Sequence, residues 1–580
     1  MLHACWLIFD FDLQFCFAFN AKPVFFNYPS WHSRPTKHLP LPHLVLCFII
    51  GLPSMVLPCA NPTKSYWIEA ADSPLRDLRS SHELPETADV VIIGGGYSGA
   101  TTAYWLDKYT RDHVKQPSMV ILEARDVCGG ATGRNGGQLR PHAYSRYAVW
   151  AERFGPDTAM ELIRHEMAHL PAFEQLAADE GIAEEICLKF GETFDAAMTD
   201  EAWIRLKGAL DAMRRDHGED NEVVKACRVI ADAAEAQDFS QMKGALAAIV
   251  HPAGQVWPYK FVHAILRIVL ARGNLNVQAH TPVMQVGERD AEGWIQVRTE
   301  RGNVRARAVV HATNAWASHL LPEYSKLVLP EKGTLAVIKA PEGFIKHTGA
   351  QHWDATVNNY HLQLPAPYNA VILGGARQYL VHRPADCVLR DDDDQHILGT
   401  DEFFGSWPSS DVLNWPESTP QTSLEGNGGC WVGIETTSAD GFPFVGPAPR
   451  HPGQWVAAGF AGHDFSGMPR ILLSTSSIST SVLESLGLAH SEPSGAAKLP
   501  LPKPFLATED RIDRLQNTDV EGIRSSFMAK CKESSVKPFC NGERSRVPAR
   551  QGISSCNDGN WASSCKGQAV SHVEQIPLQV

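Results

Sequence analysis

The sequence predicts an α/β (α+β) chain in which a parallel sheet is combined with a separate antiparallel sheet and helices. Val90–Ile93 is a β-branched run that leads into closely spaced glycines and then into helix-compatible residues. Ser118–Arg125 is a second apolar run. Continuous apolar runs of this kind are typical of buried parallel strands. Between about residues 331 and 430, short apolar runs alternate with turn residues, which favours antiparallel hairpins.

The first strand ends in a G-x-G-x-x-G pattern made by Gly94, Gly96 and Gly99, with Tyr97 and Ser98 inside it. The first glycine permits a tight turn, and the second lets the backbone approach a pyrophosphate. The third lets the following helix pack on the strand, so that the helix N-terminus faces the phosphates. This pattern predicts a Rossmann-like nucleotide-binding domain.

The second strand ends at Glu123, close to the spacing from Gly99 that such domains use for an acid that binds ribose. A glutamate accepts hydrogen bonds from a free 2′-hydroxyl and repels a 2′-phosphate. It therefore indicates a dinucleotide of the FAD or NAD type rather than NADP. We find one such fingerprint in the sequence, which suggests one tightly held dinucleotide that the substrate meets directly.

A second glycine-dense loop follows the acid and carries Arg134 and Asn135 in its middle. Its glycines are Gly129, Gly130, Gly133, Gly136 and Gly137. A loop this bare can press its backbone against a long, flat ligand, although a flexible surface loop is the alternative. Simple NAD dehydrogenases continue into another strand and helix at this point.

Over about residues 61–485 the sequence resembles the FAD-dependent amine and amino-acid oxidases of the D-amino-acid oxidase superfamily. The branch looks like the gamma-glutamylputrescine oxidase type and similar fungal oxidoreductases. The matching motifs are GGGYSG (Gly94–Gly99), LEAR (Leu122–Arg125), GATGRNGGQ (Gly130–Gln138), ATNAW (Ala312–Trp316), SADGFPFVGP (Ser438–Pro447) and WVAAGFAGH…GMPR (Trp455–Arg470).

Together, the motifs and the resemblance imply an FAD site. Its candidate residues are Gly94, Gly96, Tyr97, Ser98, Gly99, Glu123, Ala124, Arg125, Gly133, Arg134, Asn135, Gly136, Gly137, Leu139, Val283, Gly462, Gly467 and Met468. The family pattern leads us to expect GHGMPR, but the chain reads GHDFSGMPR. The segment 464–466 looks like an insertion beside the flavin, and it leaves the roles of His463, Gly467 and Met468 open.

The resemblance implies oxidation of a C–N bond in a small amine or amino acid. Hydride passes to flavin N5, the imine is hydrolysed, and O2 or another acceptor takes the electrons, with H2O2 as the product from O2. Our candidate catalytic residues are Tyr360, His361, Trp316 and His463. The related amino-acid oxidases usually hold the substrate carboxylate with an arginine. Leu364 stands near that position here, which favours an amine, or an amino acid that is held in an unusual way. A flavin oxidase for a non-amine biosynthetic intermediate is the alternative.

The stretch His165–His169 reads HEMAH and matches the HExxH pattern of zinc peptidases. Met160, Ile163 and Met167 form one apolar helix face, and the histidines fall opposite it. We therefore expect a solvated helix face rather than a zinc site, and we assign no metal. The run Asp391–Asp394 is likewise expected to be a solvated loop.

The formal net charge of −13 argues against a nucleic-acid partner. The scarcity of cysteines in the long middle of the chain favours the cytoplasm, as does Leu44–Ala60, which is too short to span a membrane. If that apolar run is a membrane segment or a signal sequence, a membrane anchor or secretion is the alternative. The expected segments are 1–60 (a disordered or spurious leader), 61–150 (first FAD-binding), 151–250 (helical, substrate), 251–330 (second FAD-binding), 331–430 (antiparallel sheet, substrate), 431–490 (third FAD-binding) and 491–580 (linker and mostly disordered tail).

Overall fold

The computed structural model describes residues 57–416, 429–460, 467–517 and 519. The strands are β1 (Thr87–Ile93), β2 (Met119–Leu122), β3 (Gln138–Leu139), β4 (Lys189–Ala197), β5 (Arg228–Ile230), β6 (Ala247–Gln255), β7 (Leu275–Gln278), β8 (Val283–Arg289), β9 (Ile295–Thr299), β10 (Gly302–His311), β11 (Val328–Lys339), β12 (Thr348–His352), β13 (Asn358–Gln363), β14 (Ala370–Gly374), β15 (Cys430–Ser438), β16 (Phe444–Pro447) and β17 (Gln454–Ala458). The helices are α1 (Tyr66–Glu69), α2 (Tyr97–Thr110), α3 (Tyr147–Phe154), α4 (Pro156–Met167), α5 (His169–Asp179), α6 (Asp200–His217), α7 (Glu222–Lys225), α8 (Ala233–Ser240), α9 (Pro258–Leu270), α10 (Ala317–Leu320), α11 (Arg377–Leu380), α12 (Thr400–Asp411), α13 (Gly467–Ser485) and α14 (Glu509–Gln516).

The first sheet has the order β16-β17-β10-β1-β2-β7. The strands from β17 to β7 run parallel, and the β8–β9 hairpin extends the sheet antiparallel from β10. Val90–Ile93 of β1 are buried, as a central parallel strand requires. Helix α2 follows β1 and packs against α9 and α13. The predicted parallel domain is confirmed.

The second sheet has the order β15-β11-β14-β13-β12-β4-β6-β3, with β5 beside β6. Its pairs are antiparallel except β4–β12. Successive residues of a strand face opposite sides of a sheet, so one face of β13 meets the first domain. The other face meets a separate apolar core that contains Phe194 and Trp407. The predicted antiparallel sheet is confirmed.

Two segments differ from the expected boundaries. Strand β15 pairs with β11 in the second sheet, although it lies almost wholly within the segment 431–490 that we assigned to FAD binding. Residues 491–517 are ordered: Phe505 is fully buried, and Arg511 makes a two-bond ion pair with Asp440. Prolines between the apolar residues before Phe505 interrupt any helix or strand period, so the sequence pattern does not indicate this packing. The leader up to residue 56 lies outside the described residues.

Among the helices that the structure describes, none combines the length and apolar character needed to cross a bilayer. Most of the apolar run Leu44–Ala60 lies outside the described residues.

Candidate cofactor and substrate site

The turn between β1 and α2 has no room for side chains at two of its glycines. Gly94 has a φ of +108°, and a Cβ there would lie 2.5 Å from the Ala312 carbonyl oxygen. A Cβ on Gly99 would lie 1.9 Å from the Gly94 carbonyl oxygen. Helix α2 therefore begins directly against the turn, and its N-terminus opens onto a cavity lined by Gly94, Gly96 and Tyr97.

The carboxylate of Glu123 is fixed at the edge of this cavity by backbone donors. The Gly95 N–H donates to its Oε2 at 2.7 Å, and the Arg125 N–H donates to its Oε1 at 2.9 Å. An acid held in this way at the end of the second strand can still accept hydrogen bonds from ribose hydroxyls through its remaining lone pairs.

Two arginines beside the cavity share a buried counter-ion. Arg125 donates to Asp393 at 3.0 Å, and the Arg134 Nε lies 3.6 Å from the same carboxylate. Burial lowers the pKa of Arg134 to about 10, against the opposing charge of Asp393. The expectation of a solvated loop is therefore wrong for Asp393, which is 1% exposed at its side chain. A run of acids looks solvated in sequence because its partners lie about 260 residues away.

The glycine-dense loop is held by indoles on its outer side. Trp431 donates to the Arg134 carbonyl at 2.8 Å, and Trp67 donates to the Asn135 carbonyl at 2.5 Å. The Asn135 side chain accepts from the Gly137 N–H at 2.9 Å. These bonds fix a backbone whose other side faces the cavity at Gly136 and Gly137.

Tyr360 reaches the cavity from β13 and lies in a slot between two glycines. A Cβ on Gly136 would lie 2.2 Å from its ring, and a Cβ on Gly374 would lie 2.0 Å from it. Trp316 also lines the cavity. The Trp316 ring centroid lies 5.8 Å from the Arg125 guanidinium carbon, so the two candidates contact different parts of the cavity wall.

His361 lies on the opposite face of β13 from Tyr360, because neighbouring strand residues alternate in direction. It is fully buried between Phe194 and Trp407, with ring centroids 5.7 and 5.2 Å away. Burial, followed by the charge of Arg140, lowers the pKa of His361 to about 3. The structure therefore does not bring His361 to the cavity.

Strand β15 contributes cavity residues that the sequence analysis missed. Glu435 and Thr436 line the cavity, together with Gly433 of the same strand. Burial raises the pKa of Glu435 to about 7; Arg377 opposes this shift and Glu331 adds to it. A lone carboxylate in the otherwise uncharged strand WVGIETT was the available signal. Other missed lining residues are Thr132, Gln138, Thr313, Asn314, Phe460 and Ile471.

The described residues fit FAD. Glycines of the turn and of the loop line the cavity with bare backbone, and Glu123 offers the acid for ribose. A family model described as DAO, FAD dependent oxidoreductase, matches residues 89–471. The chain belongs to this family. FAD is accordingly its cofactor, as the sequence predicted, and the chain is an FAD-dependent oxidoreductase.

The curated proteins to which this chain is similar are named for several different activities. The chain is 28% identical over 269 residues to a component of the anaerobic glycerol-3-phosphate dehydrogenase of Escherichia coli (strain K12), covering 44% of this chain and 42% of that protein. It is 28% identical over 282 residues to gamma-glutamylputrescine oxidoreductase of the same strain, covering 46% and 58%. Glycine oxidase of Pseudomonas putida is 23% identical over 392 residues, covering 64% and 88%. The chain thus matches about half the length of the first two.

Solved structures share the DAO fold. L-amino acid deaminase from Proteus vulgaris superposes with a TM-score of 0.53 at 16% identity, covering 75% of this chain and 97% of that one. Glycine oxidase from Geobacillus kaustophilus gives 0.50 at 22% identity, covering 73% and 99%. These likenesses establish the architecture and leave the substrate to be inferred from the site.

The structure places most predicted FAD residues of this DAO enzyme at the cavity. Those that line it are Gly94, Gly96, Tyr97, Ser98, Glu123, Ala124, Arg125, Arg134, Asn135, Gly136, Gly137 and Val283. Gly99, Gly133 and Leu139 lie behind it, where the two glycines permit close backbone packing and Leu139 joins the core. Gly467 and Met468 begin α13. Gly462, His463 and the segment 464–466 lie outside the described residues.

The HEMAH stretch forms no solvated helix face in this DAO enzyme, so that prediction is wrong. His165, Glu166 and His169 are 3%, 1% and 1% exposed. Helix α4 ends at Met167 and α5 begins at His169, and the face of this pair that carries the two histidines packs inward. Glu166 accepts from Arg470 at 2.8 Å, and His169 accepts from the Leu473 N–H at 3.3 Å. Both therefore serve packing contacts with α13, and the peptidase alternative is set aside.

Proposed function

We propose that this enzyme oxidises a C–N bond of a small amine or amino acid. The observation that carries the proposal is one continuous cavity that runs from Glu123 and the glycine turn to Tyr360 and Glu435 beneath the second sheet. A dinucleotide held at the first end would extend towards a substrate space at the second. Gamma-glutamylputrescine oxidoreductase and glycine oxidase, both relatives, are named for substrates that contain amino groups.

FAD, when bound, supplies the acceptor for a hydride from the substrate carbon, at its N5 atom. The chain's own residues do the remaining work. Gly136 and Gly137 offer bare backbone to the cofactor, while Tyr360 and Phe460 close the cavity around the substrate. Hydride loss needs a neutral amine, because the nitrogen lone pair stabilises the forming iminium ion. It also needs alignment of the substrate and exclusion of water from the reacting atoms.

The overall reaction balances without a further protein oxidant. The amine loses two electrons and two protons and becomes an imine, and O2 takes the same two electrons and two protons to become H2O2. Water then hydrolyses the imine to a carbonyl compound and an amine or ammonia. Another two-electron acceptor in place of O2 would leave the oxidation of the amine unchanged.

Oxidation of a non-amine substrate is the second candidate, because an anaerobic glycerol-3-phosphate dehydrogenase is also a relative. A phosphate ester carries negative charge, however. The described end of the cavity beneath the second sheet presents the carboxyl group of Glu435, which disfavours an anionic substrate.

Purified full-length protein tests the proposal in two steps. An absorption spectrum with flavin bands, followed by release of FAD on denaturation, is expected first. A peroxide assay over primary amines, amino acids and glycerol 3-phosphate should then show turnover with an amino compound, and anaerobic bleaching of the flavin bands should follow the same preference. Bleaching by glycerol 3-phosphate alone would support the second candidate, and colourless protein that does not take up added FAD would overturn both.

A further inference from the structure

A segment before β1, residues 57–69, lies along the glycine-dense loop, and we call it the strap. The Ser65 hydroxyl donates to the Gly133 carbonyl at 2.6 Å. The Thr63 carbonyl accepts from the Arg134 guanidinium at 2.7 Å. Ser65 and Thr63 are 1% and 8% exposed. Two buried residues of the strap thus bind the backbone and a side chain of the loop.

Side chains of the strap also fill the space that two loop glycines leave. A Cβ on Gly133 would lie 3.1 Å from the Ile68 side chain, and a Cβ on Gly137 would lie 2.9 Å from the Trp67 ring. Both strap side chains are buried. The Trp67 carbonyl in turn accepts from the Trp257 indole at 2.9 Å, next to the start of α9. The strap and the loop therefore pack as one unit.

The first residues of the strap reach the nucleotide end of the cavity. Leu57 and Pro58 line the cavity. The Cys59 carbonyl accepts from the Arg125 guanidinium at 3.1 Å. The backbone N–H of the same arginine donates to Glu123, the acid expected to bind ribose. Leu57 and Pro58 therefore lie where the adenosine half of FAD is expected.

Asp393 bonds the strap to the rest of the molecule in two ways. Its backbone carbonyl accepts from the Thr63 N–H at 2.7 Å. Its carboxylate accepts from Arg125 at 3.0 Å, and Arg125 is the residue that binds the Cys59 carbonyl. Strand β15 adds a further bond, because the Val432 N–H donates to the Thr63 hydroxyl oxygen at 2.9 Å. The strap is therefore held from the loop, from β15 and from Asp393.

The wall at this end of the cavity suits a flat aromatic ring. Val283 and Trp316 line the cavity together with the two strap residues Leu57 and Pro58. The Trp316 ring centroid lies 5.8 Å from the Arg125 guanidinium carbon, which places the indole near the strap. Pockets for ring-containing ligands are lined mainly by apolar and aromatic side chains. Adenine is such a ring, and the strap supplies apolar surface for it.

We propose that the strap is part of the FAD site and sets how long the cofactor stays bound. Leu57 and Pro58 cover the adenosine half, and the bonds of Thr63 and Ser65 hold the glycine-dense loop against the cofactor. FAD then leaves the cavity only after the strap has moved. The strap precedes residue 89, where the match to the DAO family begins. The inference concerns the cofactor and holds whichever substrate the enzyme oxidises.

The rate of FAD release tests the inference on FAD-loaded, full-length protein. Rapid dilution, followed by the change in flavin fluorescence, measures this rate. Leu57→Ser removes apolar contact with the cofactor and should speed release by roughly tenfold. Ser65→Ala removes one hydrogen bond to the loop and should speed release by roughly threefold to tenfold. Lys64→Ala is the matched control, because Lys64 is an exposed residue of the strap, and it should release FAD at the wild-type rate.

The two halves of FAD serve as separate probes of the contact with Leu57. ADP carries the adenosine half and FMN carries the flavin half. Full-length protein that has been stripped of cofactor is titrated with each by calorimetry. Leu57→Ser should weaken ADP binding by roughly tenfold and leave FMN binding unchanged, because the side chain lies at the nucleotide end. Leu57 is only partly buried, so this variant is expected to keep the fold.

The outcomes separate this inference from the proposed function. Equal release rates for the wild type, Leu57→Ser and Ser65→Ala would overturn the inference. Equal weakening of ADP and FMN by Leu57→Ser would also overturn it, since that result indicates a general loss of structure rather than a contact with adenosine. If the wild type holds FAD but oxidises no amino compound, the proposed function fails, whereas the release rates still decide the role of the strap.

Discussion

The two ends of the cavity are built by opposite means. At the nucleotide end, bare backbone at Gly94 and Gly99 sets the shape, and a Cβ has no room there. At the sheet end, side chains such as Tyr360 and Glu435 reach in from strands β13 and β15. A change of side chain at the sheet end can alter the chemistry without moving the backbone. We infer that substitutions are poorly tolerated where the cofactor binds, whereas substitutions at the sheet end can change which substrate the enzyme accepts.

The strongest test of this contrast is Gly99→Ala. The added Cβ would lie 1.9 Å from a backbone oxygen, so α2 must move away from the turn. We expect loss of bound FAD and destabilisation by about 1–3 kcal/mol, as overpacked sites show. Flavin content and thermal unfolding measure the two effects. The matched change Gly208→Ala, at an exposed helix position with no atom within 4 Å, should keep FAD and gain about 0.5–1 kcal/mol.

The next test concerns the counter-ion shared by Arg125 and Arg134. Asp393→Asn leaves two nearly buried guanidinium groups without a negative partner, and we expect a loss of about 3 kcal/mol in the free energy of unfolding. Urea titration of the FAD-loaded protein measures it. The neighbouring Asp394 is exposed, and Asp394→Asn should change the stability by less than about 0.5 kcal/mol. Equal effects of the two changes would contradict the role of Asp393.

The smallest expected effect is a pH dependence at the sheet end. The pKa of Glu435 is raised from 4.5 to about 7 in the folded protein. The folded state therefore binds more protons than the unfolded state between these values, so this contribution to stability falls as pH rises from 4.5 to 7. Glu435→Gln removes the titrating group. Urea titrations across this range should show the wild type losing stability relative to the variant, and a constant difference would contradict the assignment.

The nucleotide end could be predicted because its determinants are local. The turn, the acid and the glycine loop all fall between Gly94 and Gly137, and their spacing is visible in the sequence. The sheet end depends on strand pairing, which brings Glu435 opposite Glu331 and Tyr360 beside Gly136. Unless the pairing register of the strands is known, the sequence does not show which residues lie next to a charged residue in a strand, so its role cannot be predicted.

The same limit explains the errors. A solvated face is predicted for His165 and His169 because a helix pattern reveals which face is apolar, but not whether a second helix covers the other one. Here α13 covers it, through Arg470 and Leu473. Likewise, Asp393 is buried because it pairs with Arg125 and Arg134, which precede it by more than 250 residues.

The contacts of Arg511 limit how far this chain can be shortened from its C-terminal side for expression. Its guanidinium binds both oxygens of Asp440 and the carbonyls of Phe442 and Pro443, next to the loop that leads into β16. A stop codon in the Pro- and Ser-rich stretch before residue 505 would remove both Arg511 and Phe505. The Asp440 carboxylate would lose its ion pair, and the apolar side chains that now cover Phe505 would be exposed to water. Truncation should begin no earlier than the end of α14.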